Sequence, residues 1–375
     1  SHVLAGALRV KATLYDGTEL DASVLGLDPW TDLAVVQLEP SRAPYDYLKL
    51  GRSADLRPGD PVHAVGSPQL MRHSVSRGIV SSTRRFLASE MFFPDGMKTG
   101  TFTAWLQVDA LVEPGSSGGP VANSKGEVIG IIARGSTGSF GFCIPSDQVN
   151  RVMRDLLQFG TVKRGWLGLL FAPGRSYCEA AGIAEEVSGP VVSEIEADSP
   201  LAGTIKPGDI LLSMNGTPVI GRYEEDLPSV REKVAGTLPG TQVRLSFLRP
   251  GAGGTVDATV TLGEQVPAAG PNAECKAWGL TVRGITRETV KDYALPDAHG
   301  VLVTGVRDGG PASVSGIQAG FVIHSVDGKA IDTFEQFITL FHSAKEGAPV
   351  LLTTTAGKFS LMHLVEPENS SEVSK

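Results

Sequence analysis

The chain has few cysteines and no long apolar run, and each shortage excludes a class of protein. Cys143, Cys178 and Cys275 are the three cysteines among 375 residues. Their odd number and wide spacing support neither a disulfide framework nor a zinc site, so we expect buried small side chains or free thiols. No run of about 18 apolar residues occurs, so we expect no membrane-spanning helix.

Basic residues are not in excess either. The 33 Lys and Arg against 41 Asp and Glu give a net charge of −8, and residues 166–375 carry all of the acidic surplus, with 16 basic against 25 acidic residues. Binding to a phosphate backbone needs clustered positive charge, so nucleic acid is not an expected partner. The length and the 41% hydrophobic content fit a globular chain of two to three domains.

The most informative motif is Gly-Ser-Ser-Gly-Gly-Pro at residues 115–120. A serine hydroxyl is a weak nucleophile unless a base takes its proton and a nearby site stabilises the oxyanion. The motif resembles the nucleophile loop of chymotrypsin-like serine proteases. The resemblance implies that Ser117 is the nucleophile and that the amides of Gly115 and Ser117 form the oxyanion hole. The alternative is a glycine-rich turn without chemistry.

The same resemblance predicts a base and an orienting carboxylate upstream, because the triad of this fold runs His, Asp, Ser along the chain. His2 lies in a segment that looks like the helical turn of the catalytic histidine, and Asp32 in one that looks like the aspartate segment. His2 would take the Ser117 proton and later protonate the leaving amine, while Asp32 would hold the imidazole tautomer. Alternatively, His2 is a terminal histidine without a role and Asp32 a turn acid.

The first 160 residues read as a β domain that ends in a helix. Short apolar or alternating runs separated by Gly, Pro, Asp and Ser predict strands of a barrel or sandwich. These runs are Leu8–Leu14, Leu33–Leu38, Pro61–Val65, Val75–Ser81, Phe102–Val108, Val121–Ala122 and Val128–Ala133. Residues 146–160 instead place Val149, Val152, Met153, Leu156 and Leu157 on one helical face, with Ser146 as the expected N-cap and Gly160 as the stop.

The C-terminal half contains an internal repeat. Residues 189–216 and 300–328 share an order of strand, short helix, strand and a tight Asn-Gly or Asp-Gly turn. Only two copies occur, about a domain length apart, so we expect tandem domains rather than a solenoid.

Taken together, these segments resemble the HtrA/Deg family of serine endoproteases. The segments that carry the resemblance are Leu48–Ser53, Gly66–Pro68, Ser76–Ser81, Gln107–Ala110, Gly126–Ile131, Phe142–Ser146 and Val162–Gly168, in addition to the serine motif. The resemblance implies a mainly β fold, with a chymotrypsin-like double β-barrel followed by two α+β PDZ domains. The expected domains are residues 1–160, 166–264 and 275–366, and residues 265–273 would join the two PDZ domains.

In the family a strand hairpin precedes the histidine, which here is residue 2. The chain therefore reads as a fragment cut inside the first barrel, so the first barrel is expected to be incomplete. The edges of an unclosed barrel would be exposed, so we expect the chemistry of the parent protein rather than of these 375 residues alone.

PDZ domains add an extended peptide as a strand at an open sheet edge, and a preceding loop holds its terminal carboxylate. The resemblance assigns that loop to Trp166, Leu167, Gly168 and Leu169 in the first domain and to Trp278, Gly279, Leu280 and Thr281 in the second. The alternative is that both tryptophans only anchor strands in the core. The second domain also lacks the acid that follows the matched glycine of the first, Asp209, so its peptide loop departs from that of the first domain.

The resemblance also predicts specificity and control. Leu111, six residues before the nucleophile, falls at the base of the S1 pocket, and an apolar base favours small or medium aliphatic residues over Lys or Arg. Residues 85–103 match the position of the family's sensor loop, although their aromatic residues could equally pack the barrel.

Three functions compete. The first is an ATP-independent endopeptidase of protein quality control and the stress response, acting on unfolded proteins and regulated by C-terminal peptides at the PDZ domains. The second is a catalytically silent PDZ adaptor or chaperone, and the third is an esterase, which the chain order of the triad disfavours. The resemblance implies no cofactor or metal, a trimer-based homo-oligomer, and the periplasm or cell envelope.

Overall fold

The computed structural model describes residues 1–367 except 5–6, 8–9, 40–44, 72, 88–90, 93–97, 136–139, 252–253, 267–269 and 346. It divides into two compact units. One comprises Ser1–Lys11, Met91–Thr99 and Val266–Lys375, and the other comprises Ala12–Glu90 and Gly100–Gln265. Among the described residues, no helix is long and apolar enough to cross a membrane.

The first 160 residues form short strands and one long helix. The elements are the 3₁₀ turns His2–Leu4, Ser53–Asp55 and Pro68–Leu70; strands β1 Val10–Thr13, β2 Glu19–Asp28, β3 Leu33–Leu38, β4 Pro61–Gly66, β5 Ser74–Arg85, β6 Met91–Phe92, β7 Lys98–Thr99, β8 Trp105–Val108, β9 Pro120–Asn123, β10 Val128–Gly135 and β11 Gly141–Pro145; and helix α1 Ser146–Phe159. Within the described residues, strands β6 and β7 form a two-stranded sheet of their own.

Six of these strands close into an antiparallel barrel in the order β10-β11-β8-β5-β4-β9. Its interior is filled by aliphatic side chains that include Val62, Val80, Val108, Ile129 and Ile132. The loop between β8 and β9, which carries the serine motif, is therefore attached at both ends to a packed barrel.

Strands β1, β2 and β3 form a separate three-stranded sheet that does not close into a barrel within the described residues. The expectation of one complete and one incomplete barrel is confirmed. Strand β2 bulges between Val24 and Gly26, where a Cβ on Gly26 would lie 2.7 Å from the carbonyl oxygen of Gly160. The glycine thus permits β2 to approach the end of α1.

Helix α1 confirms the predicted helix and corrects its details. Gly160 ends it in the left-handed conformation, with φ of 70°. The prediction of Ser146 as N-cap is wrong: Pro145 holds that position, and the Ser146 hydroxyl donates to the Gly51 carbonyl instead. Leu157, placed on the apolar face by its spacing, is exposed.

Residues 165–264 fold around an antiparallel sheet. The elements are β12 Gly165–Trp166, β13 Leu169–Ala172, α2 Arg175–Ala180, β14 Val191–Ile195, β15 Ile210–Met214, β16 Thr217–Pro218, the 3₁₀ turn Glu224–Asp226, α3 Leu227–Ala235, β17 Gln242–Arg249, β18 Gly254–Thr261 and β19 Gly263–Glu264. The sheet order is β13-β14-β15-β17-β18, with β16 beside β15, and β12 pairs separately with β19.

Residues 272–365 repeat this arrangement with one added strand. The elements are β20 Asn272–Cys275, the 3₁₀ turn Lys276–Trp278, β21 Leu280–Gly284, α4 Arg287–Asp292, β22 Val301–Val306, α5 Pro311–Val314, β23 Val322–Val326, β24 Lys329–Ala330, α6 Phe334–Ser343, β25 Val350–Ala356 and β26 Phe359–Val365. The sheet order is β20-β21-β22-β23-β25-β26, with β24 beside β23. The predicted joining segment therefore ends inside a strand, since Asn272 and Ala273 belong to β20.

The tight turns predicted from the repeat are present in both copies. Asn215 and Gly216 have φ of 52° and 76°, and Asp327 and Gly328 have φ of 49° and 74°. Positive φ at both central residues is the requirement of a type I′ hairpin turn. The predicted short helix forms only in the second copy, as α5; the first copy has successive turns there.

The three cysteines are buried and free, as expected. Burial raises the pKa of Cys143 and of Cys275 to about 12, so both thiols stay protonated at neutral pH.

Candidate active site and peptide-binding edges

The serine loop is a tight turn whose glycines are required by the backbone. Gly115 and Gly118 have φ of 99° and 87°, in the region that L side chains avoid. Ser117 lies between them, half-buried, and its hydroxyl donates to the carbonyl of Ala133 in β10 at 3.2 Å. The loop therefore presents the predicted nucleophile at the barrel surface.

Some N–H groups of this loop are hydrogen-bonded and others have no acceptor within the described residues. Those of Ser116, Gly118 and Gly119 donate to the carbonyls of Glu113, Ile132 and Ser116 at 2.7–3.0 Å. The N–H groups of Gly115 and Ser117 donate to no acceptor in the part of the chain that the structure describes. These are the two amides that the sequence assigned to the oxyanion hole.

Gly66, at the end of β4, packs closely against the serine loop. A Cβ on Gly66 would lie 2.7 Å from the Cβ and Oγ of Ser116, which is itself buried. Gly115 is confined in the same way, because a Cβ there would lie 2.7 Å from the Ser67 carbonyl. The loop conformation is thus fixed by close backbone packing as well as by φ.

Asp32 lies in the turn between β2 and β3 and is only 4% exposed. Its φ is 63°, a conformation that aspartate tolerates better than most residues. Its N–H donates to the Pro29 carbonyl at 3.2 Å. Asp32 and Ser117 belong to the same unit, while His2, in the 3₁₀ turn His2–Leu4, belongs to the other.

A buried ion pair holds the beginning of the Asp32 turn. Arg164 donates from both terminal nitrogens to the two carboxylate oxygens of Asp28, at 2.8 and 2.6 Å. The side chains are 6% and 3% exposed, the Thr31 hydroxyl also donates to Asp28, and the guanidinium lies over the Phe102 ring. Sequence reasoning missed this pair, because 136 positions separate its members.

The exit of the predicted sensor loop contacts the same turn. Gly100 and Phe102 donate their N–H groups to the carbonyls of Pro29 and Trp30 at 3.0 and 2.9 Å, and the Phe102 ring meets that of Trp30 edge to face. Residues 88–90 and 93–97 of that loop lie outside the described residues.

Within the described residues, Leu111 lies at the surface rather than in an enclosed pocket. Its side chain is 63% exposed, while its carbonyl accepts a hydrogen bond from the Ser76 hydroxyl at 2.8 Å.

The first predicted peptide loop leads into an open sheet edge. Strand β13 is the terminal strand of its sheet, and within the described residues nothing pairs with its outer side. The N–H groups of Leu167 and Gly168 likewise donate to no described acceptor, whereas the Leu167 carbonyl accepts from the buried Ser199 hydroxyl at 2.6 Å. Gly168 has φ of 65°, and a Cβ on it would lie 2.7 Å from the Ser199 Cβ.

Asp209 has a structural role in the first PDZ domain. Arg249 donates to both of its carboxylate oxygens, at 2.8 and 2.6 Å. Phe321 and Ala356 occupy the corresponding strand positions in the second copy, where Phe321 packs against the core. The missing acid is thus a change from an ion pair to apolar packing.

The second predicted loop differs from the first. Trp278 is 1% exposed and meets the rings of Phe337 and Phe341 edge to face, so the alternative of a core tryptophan applies to it. The N–H of Gly279 donates to the Lys276 carbonyl at 3.1 Å. Strand β21, which contains Leu280 and Thr281, has β20 along its outer side.

Comparisons with known proteins match both the N-terminal β domain with its serine loop and the two C-terminal sheet domains. Residues 1–131 match the trypsin-like peptidase domain family, and residues 165–262 and 279–358 match the PDZ domain family. A probable periplasmic serine endoprotease DegP-like of Chlamydia trachomatis serovar D is 33% identical over 364 residues, covering 95% of this chain and 69% of that protein. A protein of the same name from Pseudomonas putida strain GB-1 is 34% identical over 351 residues, covering 90% of this chain and 69% of that protein.

Solved structures give the same result. The HtrA-type protease AlgW with decapeptide matches with a TM-score of 0.59 and 32% identity, covering 71% of this chain and 78% of that one. The serine endoprotease from Yersinia pestis matches with a TM-score of 0.52 and 27% identity, covering 70% of this chain and 83% of that one.

Proposed function

Because this chain belongs to the HtrA-type, DegP-like family of serine endoproteases with PDZ domains, we propose that it degrades unfolded or damaged proteins without ATP. The protease domain would span residues 1–160 and the PDZ domains 166–264 and 275–366. The proposal rests mainly on the serine loop, in which the N–H groups of Gly115 and of Ser117 itself donate to no acceptor within the described residues.

The proposed chemistry is acyl transfer by a triad. His2 takes the Ser117 proton as Oγ attacks the peptide carbonyl, and Asp32 orients the imidazole and stabilises its charged form. The N–H groups of Gly115 and Ser117 then bind the oxyanion. His2 next protonates the leaving amine, and water hydrolyses the acyl-enzyme by the same steps.

We propose further that Leu111 sets a preference for small or medium aliphatic residues before the cleaved bond. An apolar side chain offers no counter-ion for Lys or Arg, whose unpaired burial is costly. Cleavage rates of peptides that differ only in the residue before the cleaved bond test the assignment. Faster cleavage after Arg than after Val, Ile or Ala would contradict it.

The relatives support the proposed partners and location. AlgW was solved with a decapeptide, and the open edge of β13 supports capture of C-terminal peptides by the first PDZ domain. The DegP-like relatives are named periplasmic, which supports the periplasm or cell envelope. A trimer-based homo-oligomer is proposed on the family resemblance alone.

Labelling with a fluorophosphonate tests the enzyme directly. The reagent should label the chain, and Ser117→Ala should abolish labelling and casein hydrolysis together. Ser116→Ala is the matched control, because Ser116 is adjacent but buried and bonded within the loop. Labelling that survives in Ser117→Ala would overturn the assignment, and absence of labelling in the unaltered chain would favour the silent adaptor.

A further inference from the structure

The two PDZ domains differ at the sheet edge where peptide addition is expected. In the first domain, β13 follows the peptide loop and its outer side is open within the described residues. In the second domain, the corresponding strand β21 pairs along that side with β20, a segment of the same chain. The segment that precedes the loop thus lies where an added peptide strand would lie.

Strand β20 runs in the direction expected of a peptide ligand. It is antiparallel to β21, pairing Asn272 with Arg283 at one end and Cys275 with Leu280 at the other. Its C-terminal end therefore lies beside the peptide loop, where the terminal carboxylate of a ligand would be held. Here the chain continues through the 3₁₀ turn Lys276–Trp278 and Gly279 instead of ending.

The ladder uses the amides that an incoming peptide would need. Gly284 donates its N–H to the Pro271 carbonyl at 2.9 Å. Hydrogen-bonded pairs alternate along an antiparallel ladder, so the next such pairs are Ala273 with Val282 and Cys275 with Leu280. The outward N–H groups of β21 are thus already bonded within the chain.

Side chains hold the segment in place. Cys275 is fully buried in the domain core, and Ala273 packs against that core. The Asn272 side-chain oxygen accepts a hydrogen bond from Nε of the buried Arg283 at 2.9 Å. At Gly270 a Cβ would lie 2.1 Å from the Gly284 carbonyl oxygen, so only glycine permits this approach.

We propose that residues 270–275 are an intrachain ligand that fills the peptide-binding edge of the second PDZ domain and closes it to external peptides. The inference rests on the proposed function only in taking PDZ peptide capture as the activity that is blocked. The first domain is then the peptide receptor of the chain.

Hydrogen exchange read by mass spectrometry on the full chain tests this proposal at each edge separately. The probe is a synthetic decapeptide with a free Leu-Val C-terminus, and its C-terminally amidated copy serves as the ligand control. In the unaltered chain the probe should slow exchange in the fragment that covers β13. The fragment that covers β21 should already exchange slowly and should not respond to the probe.

Ala273→Pro opens the second edge, because proline cannot donate at this hydrogen-bonded position. Amides of β21 should then exchange about tenfold faster or more, and the probe should slow them again. Glu274→Pro is the matched control, since Glu274 is in a non-hydrogen-bonded pair and its N–H points away from β21. It should leave both fragments as in the unaltered chain.

Two results would overturn the proposal: a response of the β21 fragment to the probe in the unaltered chain, or no response after Ala273→Pro has exposed it. Exchange in β22 reports whether the variant domain is folded. If the domain of Ala273→Pro is not folded, Asn272→Ala, which removes only the contact to Arg283, is used instead. The same two results would then overturn the proposal, and the expected changes in exchange are smaller. Failure of the β13 fragment to respond contradicts peptide capture by the first domain, which is a separate result.

Discussion

At the scale of single residues, Asp32 is constrained by its backbone as much as by its proposed role. Its left-handed φ is tolerated by Asp, Asn and Gly but strained for β-branched residues. Side-chain chemistry and backbone tolerance can therefore be changed one at a time.

Asp32→Asn should keep the backbone and remove the charge. We expect the thermal midpoint to stay near that of the unaltered chain while kcat for a chromogenic peptide falls about 10⁴-fold, through loss of the imidazole tautomer. Asp32→Val, in contrast, should lower the free energy of unfolding by about 1–3 kcal/mol. An active Asn variant would show that Asp32 is only a turn acid.

Asp209 predicts a pH dependence in the first PDZ domain. Burial raises its pKa, but hydrogen bonds from Arg249 and from the Lys206 N–H outweigh burial and hold the pKa below its ordinary value. Such a group stabilises the fold above the unfolded pKa, about 3.9, and loses that contribution as pH falls through the lower folded pKa.

Asp209→Asn should therefore lower the urea midpoint at pH 7, and the deficit should shrink as pH falls below about 4. The exposed Asp257→Asn is the control and should change little at either pH. A deficit that is constant with pH would contradict the ion-pair explanation.

At the scale of elements, the β2–β3 turn depends on a residue that lies just before the first PDZ domain. Arg164→Ala would leave the Asp28 carboxylate buried without its guanidinium, at a cost of about 3–5 kcal/mol. Arg151→Ala is the matched control, because its pair with Glu232 is 43% and 38% exposed and worth at most about 1 kcal/mol.

Urea unfolding followed by tryptophan fluorescence measures both variants. The double variant Asp28→Ala with Arg164→Met should recover much of the loss, since it leaves no unpaired charge. Equal effects of Arg164→Ala and Arg151→Ala would show that burial does not set the strength of these pairs.

Local sequence patterns predicted many of the strands and helices named above. The features that they missed depend on contacts between distant parts of the chain. Strand Leu33–Leu38 was predictable because it is a short apolar run, and helix α1 because its apolar residues recur at helical spacing. Strand β2 was missed because acidic residues and Gly26 interrupt its alternation. The serine motif indicated which amides matter, but only the folded chain shows which N–H groups have no acceptor, and only the sheet register shows that β20 covers β21.

At the scale of the whole molecule, we expect peptide binding at the first PDZ domain to change protease activity. A decapeptide with a free apolar C-terminus should stimulate cleavage of a separate reporter by the full chain, with a coupling within the usual five- to 150-fold range. Amidation should weaken binding and stimulation together, because it removes the charge that the Leu167 and Gly168 N–H groups would hold.

Gly168→Ala should reduce both effects, since a Cβ there would collide with Ser199, while Gly279→Ala in the second domain should leave stimulation unchanged. Binding that is indifferent to amidation would exclude carboxylate capture. Binding without stimulation would leave the first domain a substrate tether.

The β20–β21 hairpin also has a consequence for competition. Only the four residues 276–279 separate its paired strands, and a short tether of this kind gives an effective concentration in the millimolar range or above. A free peptide at micromolar concentration would be outnumbered about a thousandfold at that edge. The hairpin is also local enough to close within about 1–10 μs, so it can form before an encounter with a passing unfolded chain. We therefore expect that the second domain does not add extended polypeptide to its sheet, even where such polypeptide is abundant.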